Sequence, residues 1–410
     1  MTFTLPTSIS APAKPKRLAV KLTYKGENYV QQGHPWVFSD SIVKINADAK
    51  TGDLAIIFAK RKNAMIGIGL YDADSPIRIK MIYSSSDPVS IDADFFLRKV
   101  QQAYQKRLPL LQTDTNSYRL LFGENDDFPS LIADVYDKVL VVKLYSEIWL
   151  PYLNTILERL VEVSQVETVV MRLSRGLQQS QSHGLEDGAV IYGSLKHEVV
   201  PFVEHGVQFS ANVIKGHKTG YFLDHRENRR QVGLLSKGKT VLDVFSYAGG
   251  FSVHALANGA TEVTSVDISH HALEIAKYNG TLNAHTGAHH TLAGDAFKLM
   301  AQLISEEQTF DVVVIDPPSF AKQQSEVVLA KKKYAQLADL GAQLTAKKGL
   351  LVLASCSSRV PAQAFYDIND QVLTATGRVY DVLQKTQHDV DHPIGFAEGA
   401  YLKCGYYQFL

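Results

Sequence analysis

The second half of the chain alternates short apolar runs with longer stretches in which apolar residues recur at helical spacing. This alternation predicts strands followed by helices, and therefore a mainly parallel, doubly wound α/β sheet. Strands are predicted at 240–245, 262–267, 290–294, 311–315 and 349–355. Helices are predicted at 250–258, 269–283, 295–304 and 331–347. Because such sheets bind ligands at the carboxyl ends of their strands, the residues that follow each strand are the candidates for function.

The first half of the chain shows two other patterns. From Arg17 to about Ile82, short β-type runs separated by turns predict a small β-barrel or compact sheet. Between about 85 and 200, a helical pattern over 92–111 is followed by further strands and a helix, which predicts a βαβ-like middle segment. These changes predict a flexible tail and three domains, with bounds at 1–16, 17–85, 86–200 and 201–410.

Length and composition agree with a multidomain globular protein. At 410 residues the chain is too long for one ordinary core, and its 45% hydrophobic and 20% charged residues are typical of soluble proteins. No apolar run approaches the ~20 residues of a membrane span, and the first 16 residues lack the features of a secretory signal. Two cysteines, Cys356 and Cys404, make no disulfide framework, so a reducing cytoplasm fits best. The acidic run at 124–127 lacks calcium-loop spacing, which favours a polar turn, and we expect no metal.

Charge is unevenly distributed, although the formal net charge is zero. Residues 1–80 hold 12 Lys and Arg against 6 Asp and Glu, so they carry +6 and the remainder carries −6. This asymmetry indicates a basic module joined to a neutral or acidic one, although a solvated surface would give the same count. Within the basic module, His34 and Trp36 could stack on a base. Aromatic residues at this spacing are more often core, and we expect a core position for Trp36 and Phe38.

A candidate cofactor loop lies at 241–256, where a buried strand, a turn at Gly249 and Gly250, and a helix are predicted. Glycines let a ligand approach the main chain and a helix start offers free N–H groups, although many α/β domains have such a turn without a ligand. Asp267 ends the next strand and could accept hydrogen bonds from two ribose hydroxyls, or simply serve the following helix start. Asp295 ends the third strand. The missing Gly-x-Gly-x-x-Gly turn favours S-adenosylmethionine (SAM) over NAD.

Two further strand ends carry groups suited to chemistry. Asp316 is followed by Pro317 and Pro318, which fix the backbone and remove two N–H donors, so a rigid turn presents the carboxylate. Together with the aromatic ring of Phe320, this edge is suited to binding a flat heterocycle. Cys356 leaves an apolar run and sits among hydroxyl groups, where packing explains it poorly, so we interpret it as a nucleophile.

A nucleophilic cysteine at this edge predicts methylation of a pyrimidine carbon. Carbon 5 of the ring is a poor nucleophile, but attack of a thiolate at carbon 6 produces an enamine whose carbon 5 can take a methyl group. A base then removes the carbon-5 proton and the thiol leaves. Asp316 could hold or protonate the ring nitrogen and so favour the attack. Cys404, in a predicted late strand, is expected to be a packing residue.

Five runs along the chain carry a recognisable pattern: GHKTGYFLDHR at 216–226, FSYAGGF at 245–251, DPPSF at 316–320, SCS at 355–357 and DHP at 391–393. Together these runs resemble bacterial large-subunit rRNA cytosine-5 methyltransferases with an N-terminal PUA domain. HPWVF at 34–38 and GEND at 123–126 are similar as well, so the resemblance covers nearly the whole chain after Arg17. Two positions differ from the family pattern: His225 stands where glutamine is expected, and Ser319 where lysine often follows the prolines.

The resemblance implies a PUA-like RNA-binding domain at 17–85, a middle α+β domain at 86–200 and a Rossmann-like, SAM-dependent catalytic domain at 201–410. It implies SAM as cofactor and large-subunit (23S) rRNA as partner, and a homodimer stays open. The implied catalytic residues are Cys356 and Asp316. The cofactor-binding residues are expected to be Lys218, Tyr221, Asp224, Arg226, Asp243, Phe245, Ser246, Gly249, Gly250, Asp267, Ile268, Asp295, Ala296 and Asp316. The substrate-binding residues are expected to be Pro317, Pro318, Phe320, His34 and Trp36.

Three other functions are compatible with parts of this pattern. A SAM-dependent methyltransferase that modifies a base nitrogen in rRNA would also use an Asp-Pro-Pro edge, and it needs no cysteine. A non-catalytic RNA assembly factor could bind SAM only structurally, but Cys356, Asp316 and the glycine loop would then coincide on one edge by chance. An NAD-linked oxidoreductase is disfavoured by the missing glycine pattern.

Overall fold

The computed structural model of the protein describes residues 2–61, 64–180 and 183–410. The chain forms two compact units. Unit 1 consists of Met1–Val203, Ser210–Leu223 and Val390–Gly399, and unit 2 of Glu204–Phe209, Asp224–Asp389 and Ala400–Leu410. The division at 16, 85 and 200 that the sequence suggests stays a prediction.

The N-terminal part of unit 1 is a compact sheet of short strands. Its elements are α1 (Thr7–Ser10), β1 (Arg17–Leu22), α2 (Tyr24–Gln31), β2 (Trp36–Phe38), β3 (Ile42–Ile45), β4 (Leu54–Phe58), β5 (Met65–Tyr71) and β6 (Ile77–Tyr83). The strand order is β2-β6-β5-β4-β1-β3. Alternate side chains of β1 are buried, as a strand with one face on a core requires. In the segment predicted to be a tail, Phe3 and Ile9 are buried in the core of unit 1.

The middle part of unit 1 is a second sheet packed against two helices. Its elements are α3 (Ala93–Leu111), β7 (Ser117–Phe122), β8 (Leu131–Tyr136), β9 (Val139–Leu144), α4 (Leu153–Ser164), β10 (Thr168–Leu173), α5 (Arg175–Gln179) and β11 (Val190–Tyr192), with strand order β11-β10-β9-β8-β7. α3 begins after Asp92, whose carboxylate caps the helix by accepting the N–H of Phe95. β12 (Val199–Glu204) and β13 (Val207–Asn212) follow as a two-stranded pair that the sequence did not predict.

A buried ion network holds the segment Val390–Gly399 within unit 1. Arg107 is wholly buried and forms an ion pair with Asp126 at 2.5 Å, and it also donates to the carbonyl oxygen of Asp391 at 3.1 Å. The main-chain N–H of Arg119 donates to the Asp391 carboxylate at 2.8 Å. Burial would raise the pKa of Asp126, but Arg107 outweighs it and lowers that pKa. The acidic run at 124–127 therefore contributes to an ion network of the fold.

Unit 2 is a doubly wound α/β sheet, as the sequence predicts. Its elements are α6 (Arg226–Leu235), β14 (Thr240–Val244), α7 (Gly250–Ala257), β15 (Glu262–Asp267), α8 (His270–Thr281), β16 (Ala288–Ala293), α9 (Ala296–Ser305), β17 (Phe310–Ile315), α10 (Val327–Leu344), β18 (Thr345–Ser355), α11 (Ala362–Ala375), β19 (Tyr380–Thr386) and β20 (Lys403–Phe409). The strand order is β16-β15-β14-β17-β18-β20-β19, with parallel pairing from β16 to β18 and antiparallel pairing from β18 to β19. The carboxyl ends of the parallel strands therefore share one edge. Within the described residues, no helix combines the length and apolar character that a membrane span requires.

Candidate active site

The turn between β14 and α7 has a backbone conformation that few side chains tolerate. Phe245, Tyr247 and Gly249 have φ values of 66°, 48° and 76°. A Cβ atom at Gly249 would lie 2.7 Å from that of Ala276 in α8, so glycine is required where the turn meets this helix. Non-glycine residues in the left-handed region are strained and concentrate at ligand sites.

Two buried polar atoms lie at this turn without a hydrogen-bond partner among the described residues: Oδ1 of Asp243 and Oγ of Ser246. The other carboxylate oxygen of Asp243 accepts hydrogen bonds from Oγ and N–H of Ser252, at 2.6 and 3.0 Å. Burial raises the pKa of Asp243 to about 7. Because buried polar atoms normally have partners, the two free oxygens fit a polar ligand at the turn.

The ends of β15 and β16 carry further polar groups beside an exposed apolar side chain. The half-buried carboxylate of Asp267 accepts from the N–H groups of Tyr247 and Ser269, at 2.9 and 2.8 Å, and keeps acceptor capacity for hydroxyl groups. Ile268, next to it, is 75% exposed and offers an apolar surface. Asp295 caps α9 by accepting the N–H of Lys298 at 3.1 Å. An acidic side chain and an exposed apolar one therefore lie together at the end of β15, and a second acid follows β16.

Cys356 lies beside the Asp-Pro-Pro turn. β17 and β18 are parallel neighbours with Ile315 opposite Leu353, so the residues that follow the two strands emerge side by side. The half-buried thiol of Cys356 donates to the carbonyl oxygen of Pro317 at 3.7 Å. The structure thus brings together the thiol and the rigid acidic turn that the sequence predicts for one edge.

A chain of hydrogen bonds orients His225 toward Asp316. Thr386 and Tyr406 both donate to Oδ1 of Asn228, at 2.6 and 3.0 Å, so the amide NH₂ faces Nδ1 of His225 at 3.1 Å. The ring hydrogen is therefore placed on Nε2, which lies 3.3 Å from Oδ1 of Asp316. This is an ion-pair distance, and the contact does not have the geometry of a hydrogen bond. This chain of hydrogen bonds could not be predicted from the sequence.

The acids around His225 dominate its electrostatics. Burial lowers the pKa of His225, but the carboxylate of Asp316 and, to a smaller degree, that of Asp224 outweigh burial and raise it. Asp224 is itself buried and accepts a hydrogen bond from the hydroxyl of Tyr401 at 2.8 Å. The two neighbouring acids therefore favour the protonated form of His225 beside Asp316.

Comparisons with known proteins assign this architecture. The family of S-adenosylmethionine-dependent methyltransferases matches residues 119–366, and a PUA-like domain matches residues 20–83. The Ribosomal RNA large subunit methyltransferase of Deinococcus radiodurans is 39% identical over 98% of this chain and 100% of its own length. The chain belongs to the S-adenosylmethionine-dependent methyltransferases that carry a PUA-like domain.

Other relatives agree with this assignment. Two proteins named Ribosomal RNA large subunit methyltransferase I, from Aeromonas salmonicida and Escherichia coli, are each 33% identical to this chain. The match covers 92% of this chain and 96% of each relative. A protein described as a methyltransferase and crystallised with SAH has a TM-score of 0.79 at 21% identity, covering 96% of this chain and 100% of that one. A structure described as a SAM-dependent methyltransferase from Streptococcus mutans has a TM-score of 0.78 at 21% identity. The match covers 95% of this chain and 99% of that one. These structures share the fold.

The cofactor of the methyltransferase is SAM, and the residues at the carboxyl edge fit it. The free oxygens of Asp243 and Ser246 can accept polar groups of the cofactor, Asp267 can accept ribose hydroxyls, and Ile268 can cover the adenine. When bound, the cofactor supplies an electrophilic methyl group. The individual contacts of these residues with SAM stay predictions.

Three of the predicted cofactor residues have other partners within their own units. In unit 1, Tyr221 is 2% exposed and packs on Phe202, and Nζ of Lys218 lies 4.5 Å from the ring centre of Phe222. In unit 2, Arg226 is wholly buried and forms an ion pair with Asp389 at 3.0 Å. A role of these three side chains toward the cofactor stays a prediction.

The predicted base-stacking residues of the PUA-like domain lie in a mixed aromatic and acidic cluster of unit 1. The indole N–H of Trp36 donates to Glu124 at 3.2 Å, and its ring meets that of Phe396 edge-on at 5.1 Å. Nε2 of His34 lies 3.6 Å from a carboxylate oxygen of Glu398. Base stacking by His34 and Trp36 stays a prediction. A core position is wrong for Phe38, which ends β2 and is 42% exposed.

A buried ion group that the sequence did not reveal supports α6 and α7. Glu204 is wholly buried and accepts from Nε and one NH₂ group of Arg229, both at 2.7 Å, and from Nε2 of His254 at 2.8 Å. Burial would raise the pKa of Glu204, but Arg229 and then His254 outweigh it and hold that pKa well below its usual range. Arg229 lies on the helix that follows His225, and His254 on the helix that follows the glycine turn.

We expect the local stability of α6 and α7 to fall in acid because of Glu204. Its folded-state pKa lies below the ~4.3 of an unfolded chain, so its contribution is complete above about pH 4.3 and is lost as the pH falls below that value. Glu204→Gln leaves Arg229 buried without its counter-ion, which costs about 3–5 kcal/mol. Hydrogen–deuterium exchange of α6 and α7 peptides should show a difference in protection between wild type and variant, and this difference should shrink in acid.

Glu262→Gln, at an exposed position, is the matched control and should change stability by less than about 0.5 kcal/mol. A difference independent of pH would contradict this assignment.

Proposed function

We propose that the protein methylates carbon 5 of a cytosine in large-subunit rRNA, with Cys356 as the nucleophile. The observation that carries this proposal is the half-buried thiol of Cys356 next to Pro317 and the Asp316 turn, at the carboxyl edge of a SAM-dependent methyltransferase sheet. Relatives named as large-subunit rRNA methyltransferases support rRNA as the substrate.

The proposed reaction uses the cysteine twice. The thiolate of Cys356 forms a bond to carbon 6, and the electron pair of the carbon 5–carbon 6 double bond makes carbon 5 nucleophilic. Carbon 5 takes the methyl group of SAM, whose sulfur–methyl bond breaks so that S-adenosylhomocysteine leaves. A base then removes the carbon-5 proton, the double bond forms again, and the sulfur–carbon bond breaks to return the thiolate. A cysteine that adds and later leaves explains why a thiol, rather than a hydroxyl, stands at this edge.

Asp316 and the prolines have complementary roles in this proposal. Negative charge develops toward the ring nitrogen when carbon 6 is attacked, and the carboxyl group of Asp316 holds that nitrogen and supplies a proton. The ring of His225, whose Nε2 lies 3.3 Å from the Asp316 carboxylate, places a positive charge beside that carboxylate when it is protonated. The rigid turn at Pro317 and Pro318, with the half-buried ring of Phe320, grips the flat base.

The basic N-terminal domain supplies the RNA affinity in this proposal. Residues 1–80 carry a formal charge of +6, and they include nearly all of the PUA-like domain, which matches residues 20–83. Binding through phosphates releases counter-ions, so the affinity for rRNA should fall as the salt concentration rises.

An rRNA fragment that contains 5-fluorocytosine tests the covalent mechanism. Fluorine at carbon 5 cannot be removed as a proton, so the enzyme should remain bonded to the methylated base through Cys356. A denaturing gel should show the adduct, and peptide mass analysis should place it on Cys356. Unmodified RNA is the control.

The same experiment separates the rival reaction. Nucleoside analysis of the product made from the control RNA, which contains no 5-fluorocytosine, should give 5-methylcytosine. A product methylated on a base nitrogen, together with no trapped adduct, would overturn the proposed reaction and favour a base-N methyltransferase.

A further inference from the structure

A buried lysine lies beneath the loop that carries Cys356. Lys403 is the first residue of β20, pairs with Ser355 across the sheet and is 2% exposed. Its ammonium group donates to the carbonyl oxygens of Ser357, Val360 and Tyr401, the last two at 2.7 and 3.1 Å. An ammonium group has three donors, so all of them are bound by neutral acceptors.

The charge of Lys403 has no anionic partner of its own. Among the residues that the structure describes, no carboxylate pairs with this ammonium group. A buried charge without a counter-ion is unfavourable, and burial accordingly lowers the pKa of Lys403 to about 8. The thiol of Cys356 opposes this fall, because its thiolate favours the charged lysine.

The loop between Ser355 and Val360 is held from both sides. On the lysine side, two of its carbonyl groups accept from Lys403. On the other side, the hydroxyl of Ser357 donates to the carbonyl oxygen of Ala321 at 3.4 Å, and Cys356 donates to that of Pro317. The loop that carries the thiol is thus held between the segment that follows β17 and a buried cation.

We propose that Lys403 is a positioning residue that favours the thiolate of Cys356, by placing a buried positive charge behind the loop and by fixing that loop through its carbonyl groups. The inference rests on the proposed function, in which Cys356 is the nucleophile. A thiolate is stabilised by a nearby lysine and becomes the reacting species at neutral pH. The same charge favours the departure of the thiolate when the sulfur–carbon bond breaks.

Replacing the charge of Lys403 while keeping its hydrogen bonds separates the two roles. If the lysine were purely structural, this replacement would leave the ionisation of Cys356 unchanged. Lys403→Gln approaches this condition, because the amide can still donate to the carbonyl oxygens. Lys403→Met removes both the charge and the donors. Lys385→Gln, in the neighbouring β19 and partly exposed, is the matched control away from the loop.

The test is the rate of Cys356 alkylation by iodoacetamide in the full-length protein, followed by peptide mass analysis over about pH 5.5 to 9.5. The wild type should show a midpoint below the ~8.5 of a free thiol. Lys403→Gln and Lys403→Met should raise the midpoint by about one pH unit or more, which lowers the rate at neutral pH about tenfold. Lys385→Gln should keep the wild-type midpoint.

Two results would overturn the proposal: a wild-type midpoint at or above ~8.5, or a Lys403→Gln midpoint equal to that of the wild type. SAM binding reports whether the variants fold, and if they do not, the wild-type titration alone decides. Alkylation requires neither RNA nor methyl transfer. A lowered midpoint in an enzyme that makes no 5-methylcytosine would therefore refute the proposed reaction and leave the role of Lys403 standing.

Discussion

Cys356→Ala should abolish methylation of rRNA while SAM binding stays nearly unchanged. The variant has no atom that can add to carbon 6, so carbon 5 is never activated, and the loss in kcat should be about 10³-fold or more. Asp243, Asp267 and Asp295, three of the predicted cofactor residues, lie at or near the ends of other strands, so the loss of one sulfur atom should not alter their contacts. Single-turnover methylation of an rRNA fragment measures the first effect, and calorimetric titration with SAM measures the second.

Cys404→Ala is the matched control for this experiment. Cys404 lies in β20 within a core of apolar residues, is wholly buried, and burial raises the pKa of its thiol. It is therefore a packing residue, and its replacement should leave methylation within a few-fold of the wild type. Methylation by Cys356→Ala above about a tenth of the wild-type rate would exclude the covalent mechanism.

The strands of the fold were predictable where β-branched and apolar residues form a short run. The sequence predicts Leu54–Phe58, Val139–Leu144 and residues 262–267 with the bounds that β4, β9 and β15 have in the structure. α6 was not predicted, because its buried face includes Arg226 and Arg229, which satisfy ion pairs instead of following an apolar period. β19 was missed as well, since it is an edge strand with mostly exposed side chains.

The candidate site was predictable only as far as strand ends define it. Asp267, Asp316 and Cys356 lie at the carboxyl edge of the sheet because each directly follows or ends a parallel strand. The partners behind that edge depend on register and on side-chain direction. His225 reaches Asp316 across 91 positions of sequence, through an amide oriented by two other elements. Lys403 would be expected at the surface from its residue type, and its burial is explained by the carbonyl groups of Ser357, Val360 and Tyr401, which accept from it.

Asp316→Asn should lower kcat about 100-fold or more, with little change in KM or in SAM affinity. Asparagine keeps the shape of the side chain and can hydrogen-bond to the base, but it cannot transfer a proton to the ring nitrogen when carbon 6 is attacked. The variant also loses the ion pair with His225, whose pKa should fall because the carboxylate of Asp316 is what raises it against burial. Single-turnover methylation over a range of pH measures the loss, and NMR titration of the His225 ring measures the fall.

Asp311→Asn provides the matched substitution at the opposite end of the same strand. Asp311 accepts from the N–H and the hydroxyl of Thr240, at 2.9 and 3.2 Å, and lies near the amino end of β17. Asp311→Asn should leave kcat within a few-fold of the wild type, because the side chain at position 311 cannot reach a base at the carboxyl edge. If Asp316→Asn and Asp311→Asn were equally active, proton transfer by Asp316 would be refuted. Cys356 would then have to act on a base held by the prolines and Phe320 alone, and the ion pair of His225 with Asp316 would serve only to hold the Asp-Pro-Pro turn in place.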